Sequence, residues 1–451
     1  MMRPPARWLT CLAGAALAAP ALAWAAGDAA HHAGLLLWIG AILIAARVGS
    51  LVQRFGQPAV LGELAAGIVL GNLALVGWTG AAVVATDPVL VFLAELGVVV
   101  LLFQIGLESN VQQMLAVGAR AMAVAVVGVV VPFVLGTLVV GPWLLPGLGA
   151  NAYLFIGATL TATSVGITGR VFRDLGQLQR PEARIVLGAA VIDDVLGLVI
   201  LAVVSAIATT GSVATGAVAI IVFEALLFLV GAIVIGRTVA PPLSRLFARI
   251  HAGADMKLAL ALSTCMLFAW VAAQIGLAPI VGAFAAGLVL DDVVFSDYDP
   301  PSFERDVRAA LAGADRDTHG RVEAVLDIHR NRHLEDLVAP VGHFLVPFFF
   351  VVTGMQVKLD LLADPRALMV ALALTVAAVA GKIVAGVVAG PVDRWLVGWG
   401  MVPRGEVGLI FAATGMALGV VSAAVFAVIV ITVLATTLIT PPVLARLLRR
   451  R

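Results

Sequence analysis

Charge and cysteine are scarce in this chain. Asp, Glu, Lys and Arg make up 12% of its 451 residues, against about a quarter in an ordinary soluble domain. The 2 cysteines, Cys11 near the N-terminus and Cys265 inside an apolar run, exclude a disulfide scaffold. A formal net charge of +1 lacks the basic excess that nucleic-acid binding requires. Disorder is excluded as well, because disordered chains are poor in apolar residues and 62% of this one is hydrophobic. So much apolar surface could not be kept from water by a soluble fold of this length. The chain reads as an all-α, polytopic membrane protein, helical because lipid offers no partner to an unpaired backbone group.

Hydrophobic runs separated by Gly, Pro or charge, each near the length of about 20 residues that a span needs, number about thirteen. They lie near 34–53, 57–77, 88–107, 115–141, 151–172, 185–208, 215–238, 256–275, 277–292, 338–356, 366–391, 400–419 and 421–445. Residues 1–26 precede them, with Arg3 and Arg7 ahead of an apolar stretch from Trp8 to Ala23 and small residues at Ala21–Ala26. That layout is a secretory signal; an additional retained helix is the alternative. With the mature N-terminus outside, nearly all loop Lys and Arg fall on the inner side, Arg404 counted among them, and Lys358 and Arg366 stand outside. This is the bias of a multi-pass protein of a bacterial-type inner membrane with a cytoplasmic C-terminus. Loop 291–336 is a charged cytoplasmic insert, whose His329 and His333 read as part of a solvated face.

The informative carboxylates are those inside spans: Glu63, Glu95, Asp193, Asp194, Glu224 and Glu406. Each costs roughly 2.5–3.5 kcal/mol at mid-bilayer, so the adjacent pair Asp193–Asp194 points to function. Neighbours on a helix diverge by about 100°, which gives the two carboxylates different surroundings. The intramembrane lysine, Lys382, is their natural partner. By the span boundaries it and Asp194 both sit roughly 13 Å from the cytoplasmic side. Glu63 is placed to cap or pair with Arg54, Glu95 and Glu224 have no evident partner, and Gln104 and Gln274 suit interhelical hydrogen bonds.

A hard monovalent cation needs oxygen ligands. Thr159, Thr161, Thr163, Ser164 and Thr168, interleaved with Gly157, Gly166 and Gly169, supply them in one span. Pro403, Gly405, Gly408, Gly415 and Gly419 interrupt another, which also carries Arg404, Glu406 and Thr414. The two spans run in opposite directions, so an inverted repeat with two broken, crossing helices and a midplane site is expected. A cation channel would use similar groups without proton counter-movement. A membrane enzyme with paired aspartates would draw its acids from facing helices rather than adjacent positions.

Six segments in order, QPAVLGELAAGIVLGN (57–72), ELGVVVLLFQIGLE (95–108), TATSVGITGRVFRDLG (161–176), LGAAVIDDVLGLVI (187–200), PFFFVVTGM (347–355) and PRGEVGLIFAATG (403–415), resemble the second family of monovalent cation:proton antiporters. That family includes Kef-type potassium/proton and bacterial sodium/proton antiporters. The resemblance runs from roughly 35 to 445 and implies an exchanger domain over 34–445. It implies a scaffold at 34–107 and 256–356 and a transport core at 115–208 and 366–445, moving elevator-fashion in a homodimer. It implies Asp194 as principal carrier of ion and proton and Asp193 as a second Na+ contact and the partner of Lys382. Thr163, Ser164 and Glu406 would line or support the site. Asp-Asp where many Kef-type members have Gln-Asp, and an end at Arg451 without a nucleotide-binding domain, favour Na+ exchange; K+ remains the alternative. No cofactor and no enzyme activity are expected, and the partners are Na+ or K+, H+ and the bilayer.

Overall fold

The computed structural model describes residues 28–55, 57–73, 84–108, 111–210, 215–275, 277–290, 333–356 and 365–449, with Tyr298, Val307, Ala310, Leu311 and Val322. The signal segment 1–26 and most of the insert 291–336 lie outside them. Every regular element among the described residues is helical. In chain order the main helices are α1 (Asp28–Gly49), α2 (Ala59–Gly71), α3 (Pro88–Leu107), α4 (Val111–Val134), α5 (Ala150–Thr159), α6 (Val165–Asp174), α7 (Pro181–Thr210) and α8 (Thr215–Thr238). There follow α9 (Ala240–Ile250), α10 (Ala254–Gln274), α11 (Pro279–Val289), α12 (His333–Met355), α13 (Pro365–Ala385), α14 (Arg394–Gly400), α15 (Glu406–Ala417) and α16 (Ala423–Arg449).

Among the described residues, eight helices are long and apolar enough to cross a membrane, namely α1, α3, α4, α7, α10, α12, α13 and α16. Three more, in α2, α11 and α15, are apolar but shorter. The span expected at 151–172 is split into α5 and α6, and the one expected at 400–419 starts earlier, at Arg394, and is broken between α14 and α15. The helix expected at 338–356 begins at His333, with Glu335 and Asp336 in its first turn, where carboxylates are favoured by the positive helix end.

The chain divides into two compact units, residues 1–97 with 344–368 and residues 98–343 with 369–451. In the first, Trp38 and Ile42 of α1 pack with Leu90 of α3 and with Phe348 and Val351 of α12. Asp87 starts α3 by accepting from the amides of Val89 and Leu90 at 2.9 and 3.1 Å, which supplies partners for otherwise orphaned donors.

In the second unit α7 lies along α4 and α5. Pro132 inside α4 has no amide to give the Gly128 carbonyl, and the helix continues as a π-helical stretch over Leu135–Val140. α13 comes close at this point: a Cβ on Gly381 would stand 2.9 Å from the Pro132 ring. Gly157 of α5 is held against the same helix, where a Cβ would lie 2.7 Å from the Phe133 carbonyl.

Candidate ion-binding site

The site is built where two helices stop halfway. α5 ends at Thr159 and α6 begins at Val165, leaving Leu160–Ser164 outside either helix; α14 ends at Gly400 and α15 begins at Glu406, leaving Met401–Gly405. The two non-helical stretches meet. The Ser164 amide donates to the Pro403 carbonyl at 2.7 Å, the Thr163 hydroxyl to the Met401 carbonyl at 3.1 Å and the Thr168 hydroxyl to the Gly400 carbonyl at 2.7 Å. Thr159 and Thr161 turn back to the carbonyls of Ile156 and Ala158, each at 2.7 Å. The threonine cluster therefore acts first as a source of donors for carbonyls that the breaks release, a necessity where water is absent.

Arg404 is the largest such source. It is 0% exposed. Its guanidinium donates to the carbonyls of Leu160 at 2.6 Å, Ala378 at 3.2 Å and Val402 at 2.5 Å, while Thr437 donates to the Arg404 carbonyl. Counting Arg404 with the inner-side loop residues is thus corrected: it is a buried cation at the C-terminal end of α5, where the helix leaves carbonyls unpaired and its dipole favours positive charge. A lone arginine between a proline and a glycine resembles a loop in the sequence. The signal that could have found it is its position between two apolar half-segments.

Beside the crossing, α7 carries Asp193 and Asp194, which are 1% and 5% exposed, and α13 carries Lys382 at 0%. Lys382 Nζ lies 3.1 Å from Asp193 Oδ2. The Thr163 hydroxyl also faces the Asp193 carboxylate, and Asp194 is within electrostatic reach of Lys382. Gly128 on α4 packs beside the ammonium, where a Cβ would stand in ordinary contact, 3.6 Å from Nζ. Ser164 forms the N-cap of α6 without a side-chain cap bond, and its buried Oγ has no hydrogen-bond partner among the described residues. A buried hydroxyl without a partner carries a desolvation cost of about 1–3 kcal/mol, and a bound cation would relieve it. Gly405 keeps that hydroxyl uncovered, since a Cβ there would come 2.8 Å from Ser164 Oγ.

The structure thus brings Asp193, Asp194, Lys382, Thr163 and Ser164 to one place. Glu406 opens α15, and its side chain lies outside the described residues. Glu63 and Glu95 belong to the first unit.

Two interrupted helices that meet beside a buried Asp–Lys pair agree with the sequence comparisons. The family described as sodium/hydrogen exchanger, transmembrane, matches over residues 40–307 and 323–450. The chain belongs to the sodium/hydrogen exchanger family.

This exchanger is 34% identical over 449 residues to the high-affinity Na+/H+ antiporter NhaS3 of Synechocystis, which covers 91% of this chain and 89% of the relative. It is 32% identical over 414 residues to the Na+/H+-K+ antiporter GerN of Bacillus cereus, covering 90% and 94%. Among solved structures, that of the sodium proton antiporter MjNhaP1 from Methanocaldococcus jannaschii superposes with a TM-score of 0.58 over 91% of this chain and 97% of that one. At 16% identity that likeness concerns the fold.

The exchanger's half-helices are anchored at their far ends as well. Arg173, in the last turn of α6, contacts Glu108 at 2.7 Å and donates to Gln104 at 2.5 Å. Gln104 in turn donates to the Val338 carbonyl of α12 at 3.1 Å, the interhelical role expected of it. Asp393 caps α14 through the amides of Trp395 and Leu396, and its own amide donates to Glu182 of α7 at 3.2 Å.

Proposed function

We infer that this chain is a secondary active antiporter that exchanges Na+ for protons across a membrane by alternating access. The observation that carries the reading is the buried Asp193–Lys382 pair beside Asp194, set against the crossing of two interrupted helices. Asp194 is the shared carrier. Protonation removes the negative charge that a cation needs, so one carboxylate holds either passenger and not both. Ser164 Oγ, the carbonyls of the crossing and Asp193 complete an oxygen shell of the type a hard cation takes. As the cation draws Asp193 to itself, Lys382 loses its partner and sheds a further proton, so that more than one proton moves per cation. Thr163 and Glu406 support the shell.

The likeness to Na+/H+ antiporters supports the wider frame. Counting each broken pair α5–α6 and α14–α15 as one span, and adding α2, α8 and α11 to the eight long helices, gives thirteen spans in an inverted repeat, with a cytoplasmic C-terminus in a bacterial inner membrane. The working unit is a homodimer in which a core at 115–208 and 366–445 moves against a scaffold at 34–107 and 256–356. Residues 1–26 are a signal, and 291–336 form a cytoplasmic insert.

The test is cation-dependent proton release from acid-loaded proteoliposomes. Addition of Na+ should dissipate the proton gradient in the native protein and leave it standing in Asp194→Asn. Exchange that survives Asp194→Asn removes Asp194 as the carrier. The name of GerN includes K+, so the same assay with K+ decides the second reading.

A further inference from the structure

Glu224 is a mid-span carboxylate that the exchange reaction leaves unused. It lies nine residues after Thr215 and fourteen before Thr238 in α8, or about 14 Å and 21 Å along the axis from the two ends. A carboxylate at that depth costs several kcal/mol in lipid, so its surroundings matter. It lines a cavity of about 360 Å³ between α8 and α10 whose other lining side chains are all apolar, among them Leu227, Phe228, Leu267 and Phe268. That volume falls in the range of small-molecule sites, about 300–1,000 Å³.

The lining positions on α8 follow a helical stripe, 224, 227, 228, 231 and 235, and those on α10 another, 267, 268 and 271, continued by Ile275 at its C-cap. Phe228 and Phe268 meet edge to face, their ring centres 6.5 Å apart. Gly231 leaves the middle open, since a Cβ there would meet nothing within 4 Å. Leu227, Ile235 and Leu267 are exposed, so the crevice is open along its side, and on a membrane-spanning pair of helices that side faces lipid.

The chemistry of this lining selects its occupant. Glu224 supplies the lining's one charged group and one side-chain oxygen, too few for an inorganic cation that needs a full oxygen shell. An acyl chain fills apolar space but offers a carboxylate nothing. A protonated amine on an apolar body satisfies both, as a charge-assisted hydrogen bond at Glu224 with its hydrocarbon against the leucines and phenylalanines. We propose that the α8–α10 crevice is a binding site for protonated lipophilic amines. This rests on the membrane placement of the two helices and is independent of the exchange mechanism.

The test uses two photoreactive probes of equal chain length, a diazirine-bearing dodecylamine and the corresponding dodecanol, on the protein in lipid nanodiscs, with labelled peptides mapped by mass spectrometry. The amine should label the segments 224–235 and 267–275 about tenfold more than the alcohol, the margin of one charge-assisted hydrogen bond. Glu224→Gln should reduce amine labelling to the alcohol's level while leaving alcohol labelling unchanged. Gly231→Leu, which fills the crevice without touching the carboxylate, should suppress both. Equal labelling by the two probes in the native protein, or amine labelling that withstands either substitution, overturns the proposal and leaves an ordinary lipid-filled groove.

Discussion

Arg404 donates through Nη2 to the carbonyl of Leu160, 244 residues earlier in the chain. The same side chain reaches Ala378 and Val402, so one guanidinium serves three backbone segments. It holds the two helix breaks together as a structural element. The separation of that role from ion binding is open to measurement.

Replacing Arg404 should damage stability before it damages selectivity. A buried acceptor left without its donor costs about 1–3 kcal/mol, and three acceptors depend on this residue. Arg404→Ala should lower the thermal midpoint of the detergent-solubilised protein by more than Arg404→Lys, since an ammonium keeps the charge but cannot reproduce the planar fork. Equal midpoints for the two variants would mean that the charge contributes nothing and that the planar fork of donors carries the whole effect.

The Asp193–Lys382 pair predicts strong coupling. Removing one member of a buried pair strands the other charge, at about 3–5 kcal/mol, whereas removing both is often close to neutral. Lys382→Met and Asp193→Asn should each reduce thermal stability, and the double variant should recover most of the loss. Additive losses would argue that the 3.1 Å contact contributes little to the folded state.

Ser164 and Gly405 should act on cation affinity. Ser164→Ala removes one oxygen and should raise the KM for Na+ by about tenfold, the equivalent of 1.4 kcal/mol, with no loss of thermal midpoint, since it also removes a buried hydroxyl that has no partner among the described residues. Gly405→Ala places a methyl group 2.8 Å from Ser164 Oγ and should weaken Na+-driven proton release at least as much. An unchanged KM in both variants would take Ser164 out of the ion shell.

Two glycines on opposite sides of the α4–α13 contact should respond differently. A Cβ at Gly128 would make ordinary contacts, 3.5 Å to Ala385 and 3.6 Å to Lys382 Nζ, whereas at Gly381 it would meet Pro132 at 2.9 Å. Gly128→Ala should therefore keep both midpoint and exchange, and Gly381→Ala should lose about 1–3 kcal/mol of stability to overpacking. Comparative thermal unfolding of the two variants checks the contrast.

The parts of this fold that were legible in the sequence are those where lipid makes the wrong residue expensive. α3 occupies the residues assigned to it, 88–107, because a run apolar but for Glu95 and Gln104 and bounded by Asp87 and Glu108 has one reading. The breaks at 160–164 and 401–405 were visible as hydroxyls, glycines and a proline in runs otherwise apolar. That Lys382 could meet the aspartate pair followed from its depth and its place inside a span, while its assignment to Asp193 came from the family resemblance. Long-range geometry was not legible. Nothing local to Arg404 indicates that its acceptors lie at Leu160 and Ala378, and the threonines expected as cation ligands spend their hydroxyl protons largely on backbone carbonyls. The π-helical stretch after Pro132 was missed too, since a proline announces a lost hydrogen bond but not how the helix absorbs it.

Opposed residues on neighbouring extended strands ordinarily exchange two amide bonds. The rung between Ser164 and Pro403 closes in one direction, because an imino acid has no hydrogen to return. A sheet cannot propagate from it, so strand growth inside the bilayer is terminated at a single rung. What would otherwise be an adhesive edge is left as a seam one rung long.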